Sequence, residues 1–420
     1  MSLPLDHLIA ALKGSGISRL LDEFARQFPD DHLKDLVVDA AGPGRTIEVN
    51  GRRVTNFGSD SFLGLDRDPR VQRAVADGAR RWGTHNGSSR AFASVRSNVT
   101  AEEKLAAWLG TEATLIYPSV TLANLGAIPG LVGKRDFVAF DEFAHNSMQE
   151  GIKVARANGT AAGRFRHNDP ADLERVLRAA RPYNFALVCV DGVYSMGGDL
   201  PPLADLADVA RANEAILYVD DAHGTGVLGE HGRGTVLDAL GSYDNTLVVG
   251  SLSKAFSCFG GFIGCPPDMQ LQLKIRSNSY VFGGPVPPPY LDAVCTVVDL
   301  LMSPEYARLR TALDRNLGRL TAGAAALGLT VIGGRTPIVS ILVGDEGETL
   351  RAGRFLFDRG YYVQSVLFPA VPYRAGVLRV QVNANHTAEE IDGLLDALRA
   401  LTRLTRPPGP PNARHLQVVG

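Results

Sequence analysis

The feature that constrains this chain most is an alternation. Short apolar, β-prone runs at Ala113 to Tyr117, Phe137 to Phe140, Phe185 to Val190, Ile216 to Val219, Leu247 to Val249 and Phe262 to Gly264 are separated by longer segments. Two of these, Ala171 to Ala180 and Leu203 to Asn213, carry apolar residues at spacings of three and four. Continuous apolar runs suit strands buried on both faces, and a helix between consecutive strands is the crossover that a parallel pair requires. The pattern predicts an α/β fold whose large domain is built on a mostly parallel central sheet.

The flanks read differently. Leu8, Ile9, Leu12, Leu20, Leu21, Phe24 and Phe28 fall at helical spacing with a break at Gly14-Ser15-Gly16, which predicts a helical arm packed on the body or on a partner subunit. RTIEVNGRRVTNF, from Arg45, places Asn50-Gly51 between two β-prone runs and predicts a hairpin. After FGGPVPPP a long helical pattern begins, followed by strand-like PIVSILV, YYVQSVL and LRVQV with helices between them, as in a smaller C-terminal α+β domain. The expected organisation is arm and hairpin over 1–55, a large domain over 56–290, a small domain over 291–405 and a loose Pro-rich tail over 406–420.

Composition narrows the function. Across 420 residues Lys plus Arg is 43 and Asp plus Glu 45, a net charge of −2 that leaves no footprint for nucleic acid. Cys189, Cys258, Cys265 and Cys295 form no C-x-x-C pair, and three lie in or beside apolar runs, so reduced thiols in a cytoplasmic setting are expected. The segment MSLPLDHLIAALKG lacks the basic start of a signal peptide, and no uncharged apolar run reaches the ~18 residues a membrane span needs. Glycine is in excess, 45 residues against a usual ~7%, so many turns or close backbone approaches are expected.

In parallel sheets ligands bind beyond the carboxyl ends of strands. Tyr117 is followed by Pro-Ser119-Val120-Thr121, Phe140 by a loop reaching His145, Val190 by Asp191 and a loop with Ser195 and Asp199, Val219 by Asp220-Asp221-Ala-His223, and Val249 by Gly-Ser251-Leu-Ser-Lys254. Singly, each has an ordinary explanation: an Asp capping the next element, a loop His, a solvated Lys. A shared crevice would gather an amine, a carboxylate, two imidazoles and several hydroxyls. Gly224-Thr-Gly226-Val-Leu-Gly229 matches the dinucleotide fingerprint, but Glu230-His-Gly232-Arg-Gly234 breaks the helix that should follow, and Asp220, Asp221 and Glu230 would repel a pyrophosphate. His145, His223 and Asp220 match no compact zinc spacing, so no metal is expected. Pyridoxal 5'-phosphate fits better. It needs a lysine for a Schiff base, a carboxylate for its ring nitrogen, a partner for its phenolic oxygen, a flat group on its face and donors for its phosphate.

On the block from Leu217 to Gly226, on Ser251-Leu-Ser-Lys254-Ala-Phe256 with Gly260-Gly261, and on Phe368-Pro-Ala-Val-Pro372 followed by Leu378-Arg379-Val380, the chain resembles the α-oxoamine synthases, from about residue 45 to 400. The resemblance implies a pyridoxal-phosphate transferase of fold type I and a decarboxylative Claisen-type condensation. A small amino acid would join an acyl thioester, on CoA or a carrier protein, to give an α-aminoketone. It implies that Lys254 carries the cofactor and moves the Cα proton, that Asp220 pairs with the ring nitrogen, and that His223, assisted by Ser195, meets the phenolic oxygen. His145 would stack on the ring, Ser119, Val120, Thr121 and Ser251 would hold the phosphate, and Arg379 would clamp the substrate carboxylate. It also implies a homodimer with shared active sites and a lysine pKa lowered by burial and neighbouring cations.

Departures from the family pattern accompany the matches. Asp60 stands where an amide commonly helps bind the substrate carboxylate; either it points elsewhere or the amino substrate differs. Val120 replaces a frequent Gly, Gly283-Gly284 replace hydroxyls, and Asn98 replaces a frequent His. These mark a specialised relative, as from secondary metabolism. An aminotransferase or aldol-type enzyme on the same fold stays open, and so does an inactive partner subunit, against which the intact Lys254, Asp220, His223 and His145 speak. Arg52, Arg53, Arg80, Arg81, Lys274 and Arg276 are candidates for CoA phosphates or are plain surface charges.

Overall fold

Ser15 accepts a hydrogen bond from the Ser18 amide (3.3 Å) and starts a new helix where the sequence breaks the N-terminal arm. The arm is therefore two helices, α1 (Pro4–Lys13) and α2 (Gly16–Gln27). The computed structural model describes residues 3–29, 33, 36–333 and 335–403, and the expected tail at 406–420 lies outside the described residues. Three strands follow the arm: β1 (Ala40–Ala41), β2 (Thr46–Val49) and β3 (Arg52–Asn56). Asn50 and Gly51 both take positive φ, 49° and 72°, the left-handed pair that a two-residue hairpin turn demands, so β2 and β3 pair antiparallel.

The large domain runs through α3 (Pro69–Trp82), α4 (Arg96–Leu109), β4 (Ala113–Tyr117), α5 (Val120–Leu131), β5 (Phe137–Asp141), α6 (Asn146–Ala157) and β6 (Ala161–Phe165). It continues through α7 (Pro170–Ala179), β7 (Ala186–Asp191), α8 (Leu203–Ala212), β8 (Ala215–Asp220), α9 (Thr235–Leu240), β9 (Thr246–Ser251) and β10 (Gly261–Cys265). The sheet order is β4-β10-β9-β8-β7-β5-β6, parallel from β9 to β6. β10 alone runs against both neighbours. Only a short helix-free loop joins β9 to β10, too little chain for a parallel crossover. β6 was not expected, because Ala-Ala-Gly-Arg-Phe offers no apolar run; it is an edge strand with one buried residue, so it needs none.

Beyond the sheet come α10 (Pro267–Arg276), α11 (Asn278–Phe282), α12 (Pro288–Leu301), α13 (Pro304–Ala326), β11 (Val331–Gly333) and β12 (Ile338–Gly344). The chain ends with α14 (Glu346–Asp358), β13 (Tyr361–Tyr362), β14 (Gln364–Val366), β15 (Gly376–Gln381) and α15 (Ala388–Thr402). An antiparallel sheet of order β11-β12-β15-β14 forms the C-terminal part. β13 pairs parallel with β3, so the N-terminal hairpin is built onto the C-terminal part across most of the sequence. Arg379 and Gln381, on β15, and Gln364, on β14, are thereby set against the loop that follows β3.

Candidate active site

The loop after β9 fixes its lysine by anchoring both sides of it. Leu252, Ala255 and Phe256 are fully buried, Phe256 packs edge-on against Trp108 at 5.2 Å, and the Ser257 amide closes a turn on the Lys254 carbonyl at 2.8 Å. Lys254 Nζ then lies 2.6 Å from Nε2 of the buried His223. Burial lowers the Lys254 pKa, although Asp60 and Asp220 pull it upward. Burial, then Lys254 and Arg379, hold His223 well below the ordinary imidazole range, so this close pair of bases does not carry two positive charges. His223 Nδ1 is buried without a partner.

The adjacent aspartates at the end of β8 have opposite fates. Asp221 accepts from the amide and hydroxyl of Thr235 at 2.8 and 2.7 Å, which folds the 224–234 loop back onto the sheet; burial raises its pKa to about 7. Asp220, only 4% exposed, receives the Asn124 side-chain amide at 2.7 Å and the Ala222 backbone amide at 3.2 Å. These are neutral partners. A buried carboxylate with neutral partners is costly unless a cation joins it, and a protonated pyridine nitrogen is such a cation. Asn124 also donates to Ser147 Oγ at 2.9 Å, and Ser147 Oγ lies 2.7 Å from His145 Nδ1, so one amide and one hydroxyl link Asp220 to His145.

His145 caps α6 with its own ring, Nδ1 accepting the Ser147 amide at 3.2 Å, while its backbone amide donates to buried Asp191 at 3.0 Å. The ring is fixed at its base and exposed beyond it. Ser119 caps α5 by accepting the Leu122 amide at 3.1 Å, leaving the amides of Val120 and Thr121 in the first turn, where no preceding carbonyl serves them. A Cβ on Gly261 would stand 2.6 Å from the Val120 nitrogen, so this glycine lets β10 approach the start of α5. Ser251 Oγ is 3.2 Å from Ser253 Oγ.

Arg379 is buried and already engaged. Its Nε donates to the Ser195 carbonyl at 2.7 Å, one terminal nitrogen to Gln364 at 3.0 Å and the other to Asp60 at 3.1 Å. Gln381 donates to the same Asp60 oxygen at 3.2 Å. Asp60 therefore points at the guanidinium rather than away from it. Lys254, His223, Asp220, His145, Asp60 and Arg379 come together from the ends of β8 and β9, the start of α6, the loop after β3 and β15, as the expected crevice requires. Ser195 reaches this group through its backbone carbonyl.

Sequence reasoning missed Asn124, Ser147, Gln364 and Gln381. Asn124 had a signal, a lone amide in the apolar run VTLANLGAIPGL; the glutamines had none, since only strand pairing turns them inward. The Gly224–Gly229 segment forms turns that lead into a short 3-10 helix, not the helix of a dinucleotide site. Among the described residues no group of His, Cys, Asp and Glu could hold a metal ion. Arg52, Arg53 and Arg80 are paired with Asp358, Glu48 and Asp77. Asn98 is fully buried in α4, and Gly283 lies close under the Ser279 carbonyl.

Residues 52–398 match the family model described as aminotransferase class I and II. A putative 8-amino-7-oxononanoate synthase of Desulforudis audaxviator is 38% identical over 362 residues, covering 86% of this chain and 92% of the relative. An 8-amino-7-oxononanoate synthase of Geobacter sulfurreducens is 37% identical over 366 residues, covering 87% and 92%. Among solved structures, Sphingomonas wittichii serine palmitoyltransferase superposes with a TM-score of 0.87 at 28% identity, covering 93% of this chain and 98% of that one. A serine palmitoyltransferase with pyridoxal phosphate gives 0.87 at 27% identity, covering 94% and 98%.

Proposed function

This chain belongs to the α-oxoamine synthases of the class I and II aminotransferase family, pyridoxal-phosphate-dependent acyltransferases, and from that membership we propose the part each of its residues plays. The reaction joins the α-carbon of an amino acid to the acyl carbon of a thioester, with release of the thiol and carbon dioxide, leaving an α-aminoketone. The observation that carries the reading is the pairing of Lys254 with His223 beside Asp220, a buried carboxylate held only by neutral donors.

When bound, pyridoxal phosphate supplies an aldehyde for amines and a ring that delocalises an electron pair. Asp220 would hold its ring nitrogen protonated, with Asn124 fixing the carboxylate. His223 would meet the phenolic oxygen, aided by Ser195, and His145 would offer a flat face. Ser119, Val120, Thr121 and Ser251 would hold the phosphate, where the start of α5 favours an anion. Lys254 would carry the cofactor and, with burial lowering its pKa, would take the Cα proton in its neutral form. Arg379 orients the amino acid carboxylate through its fork once Asp60 gives way.

The working unit is a homodimer with shared active sites, located in the cytoplasm. Phe92 and Phe282 are 90% and 82% exposed, a bond from Ser89 Oγ to the Val281 carbonyl (2.6 Å) ties their segments together, and Leu271 and Ile275 are exposed on α10. These exposed apolar side chains support a subunit contact, and all four cysteines are free thiols. Among the described residues no helix is long and apolar enough to cross a membrane.

Incubated with glycine, alanine or serine and a panel of acyl-CoA and acyl-carrier-protein thioesters, the protein releases thiol and carbon dioxide in equal amounts. Lys254→Ala loses both the release and the visible cofactor absorbance, whereas the surface control Lys153→Ala keeps them. A cofactor-loaded enzyme that releases neither product across the panel overturns the reading.

A further inference from the structure

Beside His145 and Ser195 a cavity of about 680 Å³ runs between the loops after β5 and β7 and the segment before β15. Its walls are largely apolar, built from Phe143, Met196, Ile332, Phe368, Val371 and Val377. Four of these, Met196, Ile332, Val371 and Val377, pack into one cluster, so the walls are built surfaces rather than loose side chains. The charge at the cavity is net negative. Glu142 and Asp199 line it; of its two histidines, burial lowers the pKa of His145, and His167 is clamped between Asp141 at 2.9 Å and Asp199 at 2.8 Å, with its backbone amide on Glu142 at 3.0 Å. Two carboxylates thus hold the His167 ring and a third its backbone amide, and among the described lining residues there is neither a lysine nor an arginine.

We propose that this cavity receives the acyl chain of the thioester substrate, and that the chain it selects is an uncharged hydrocarbon rather than one ending in a carboxylate. Apolar walls reward burial of methylene groups. A terminal carboxylate would be desolvated there next to Glu142 and Asp199 with no free cation to meet it, an arrangement that like charges in a partly buried site oppose. The inference rests on the acyltransferase reading and deepens it. It separates this chain from the curated relatives, whose names specify an oxononanoate and hence a chain that ends in a carboxylate.

Heptanoyl-CoA and pimeloyl-CoA have seven-carbon acyl groups that differ only at the far end, so the pair isolates the terminal charge. With the amino acid that supports turnover, heptanoyl-CoA is expected to show kcat/KM at least tenfold above pimeloyl-CoA. Titration calorimetry of the holoenzyme without amino acid should give the same order of affinities. Equal or better use of pimeloyl-CoA overturns the proposal while leaving the acyltransferase reading intact; failure of every thioester overturns the reading itself. The location is tested on two exposed or half-buried lining positions that can change without disturbing the core. Gln149→Lys should raise pimeloyl-CoA use severalfold against heptanoyl-CoA, and Ala370→Trp should weaken binding of longer acyl-CoAs more than that of acetyl-CoA. If both folded variants keep the wild-type acyl preference, the cavity is not the acyl site.

Discussion

At the scale of single residues, Asp60 changes what a guanidinium in this site can do. Arg379 is spent on Ser195, Gln364 and Asp60 before any substrate arrives, so in the proposed role a substrate carboxylate would displace a carboxylate already in place. Asp60→Asn keeps the shape and removes the competing charge. It should lower KM for the amino acid about tenfold, ~1.4 kcal/mol, with a smaller change in kcat. Steady-state kinetics at saturating thioester measure this, and an unchanged or raised KM would show that Asp60 does not compete. The position of Asp60 in the sequence marked it as unusual. Its partner is not legible there, because Arg379 lies 319 positions further along the chain and only the pairing of β3 with β13, and of the chain after β3 with β15, brings Asp60 to the guanidinium.

At the scale of elements, His167 ties three loops together. It lies just after β6, and its two ring nitrogens meet Asp141 at the end of β5 and Asp199 in the loop after β7; those loops lead to His145 and carry Ser195. Burial opposes its charge, but the hydrogen bonds to Asp141 and Asp199 prevail and raise its pKa from 6.5 to about 9. A histidine charged in the fold and less so when unfolded contributes stability that is complete below 6.5 and is lost as the pH rises through about 9. The Tm of the wild type should therefore fall between pH 6.5 and 9.5 relative to that of His167→Gln. Parallel Tm profiles for the two would refute the tie. The apolar runs gave no hint of β6, and without that strand His167 reads as an unremarkable loop histidine.

At the scale of the whole molecule, the proposed homodimer would bury the exposed side chains of Phe92, Leu271, Ile275 and Phe282. Phe282→Asp combined with Ile275→Asp should yield monomers by sedimentation velocity and reduce activity at least tenfold. A variant that stays dimeric, or a monomer with full activity, would place the contact elsewhere. The helical arm belongs to the same question: α1 buries none of its residues, leaving Leu5, Leu8, Ile9 and Leu12 exposed.

The sequence by itself determined the layered fold and the chemistry-bearing strand ends, because both depend on local patterns: runs buried on two faces, helical spacing between them, and polar residues directly after each run. It also determined the hairpin turn, since Asn-Gly tolerates positive φ. Only the tertiary structure decided which polar groups meet. Asp220 and Asp221 are neighbours in sequence with the same side chain, yet successive residues of a strand face opposite sides of a sheet, so one is turned to Asn124 and the other to Thr235. The antiparallel β10, the joining of β3 to β13 and the charge of the cavity beside His145 are likewise products of contacts between distant segments, on which no local propensity bears.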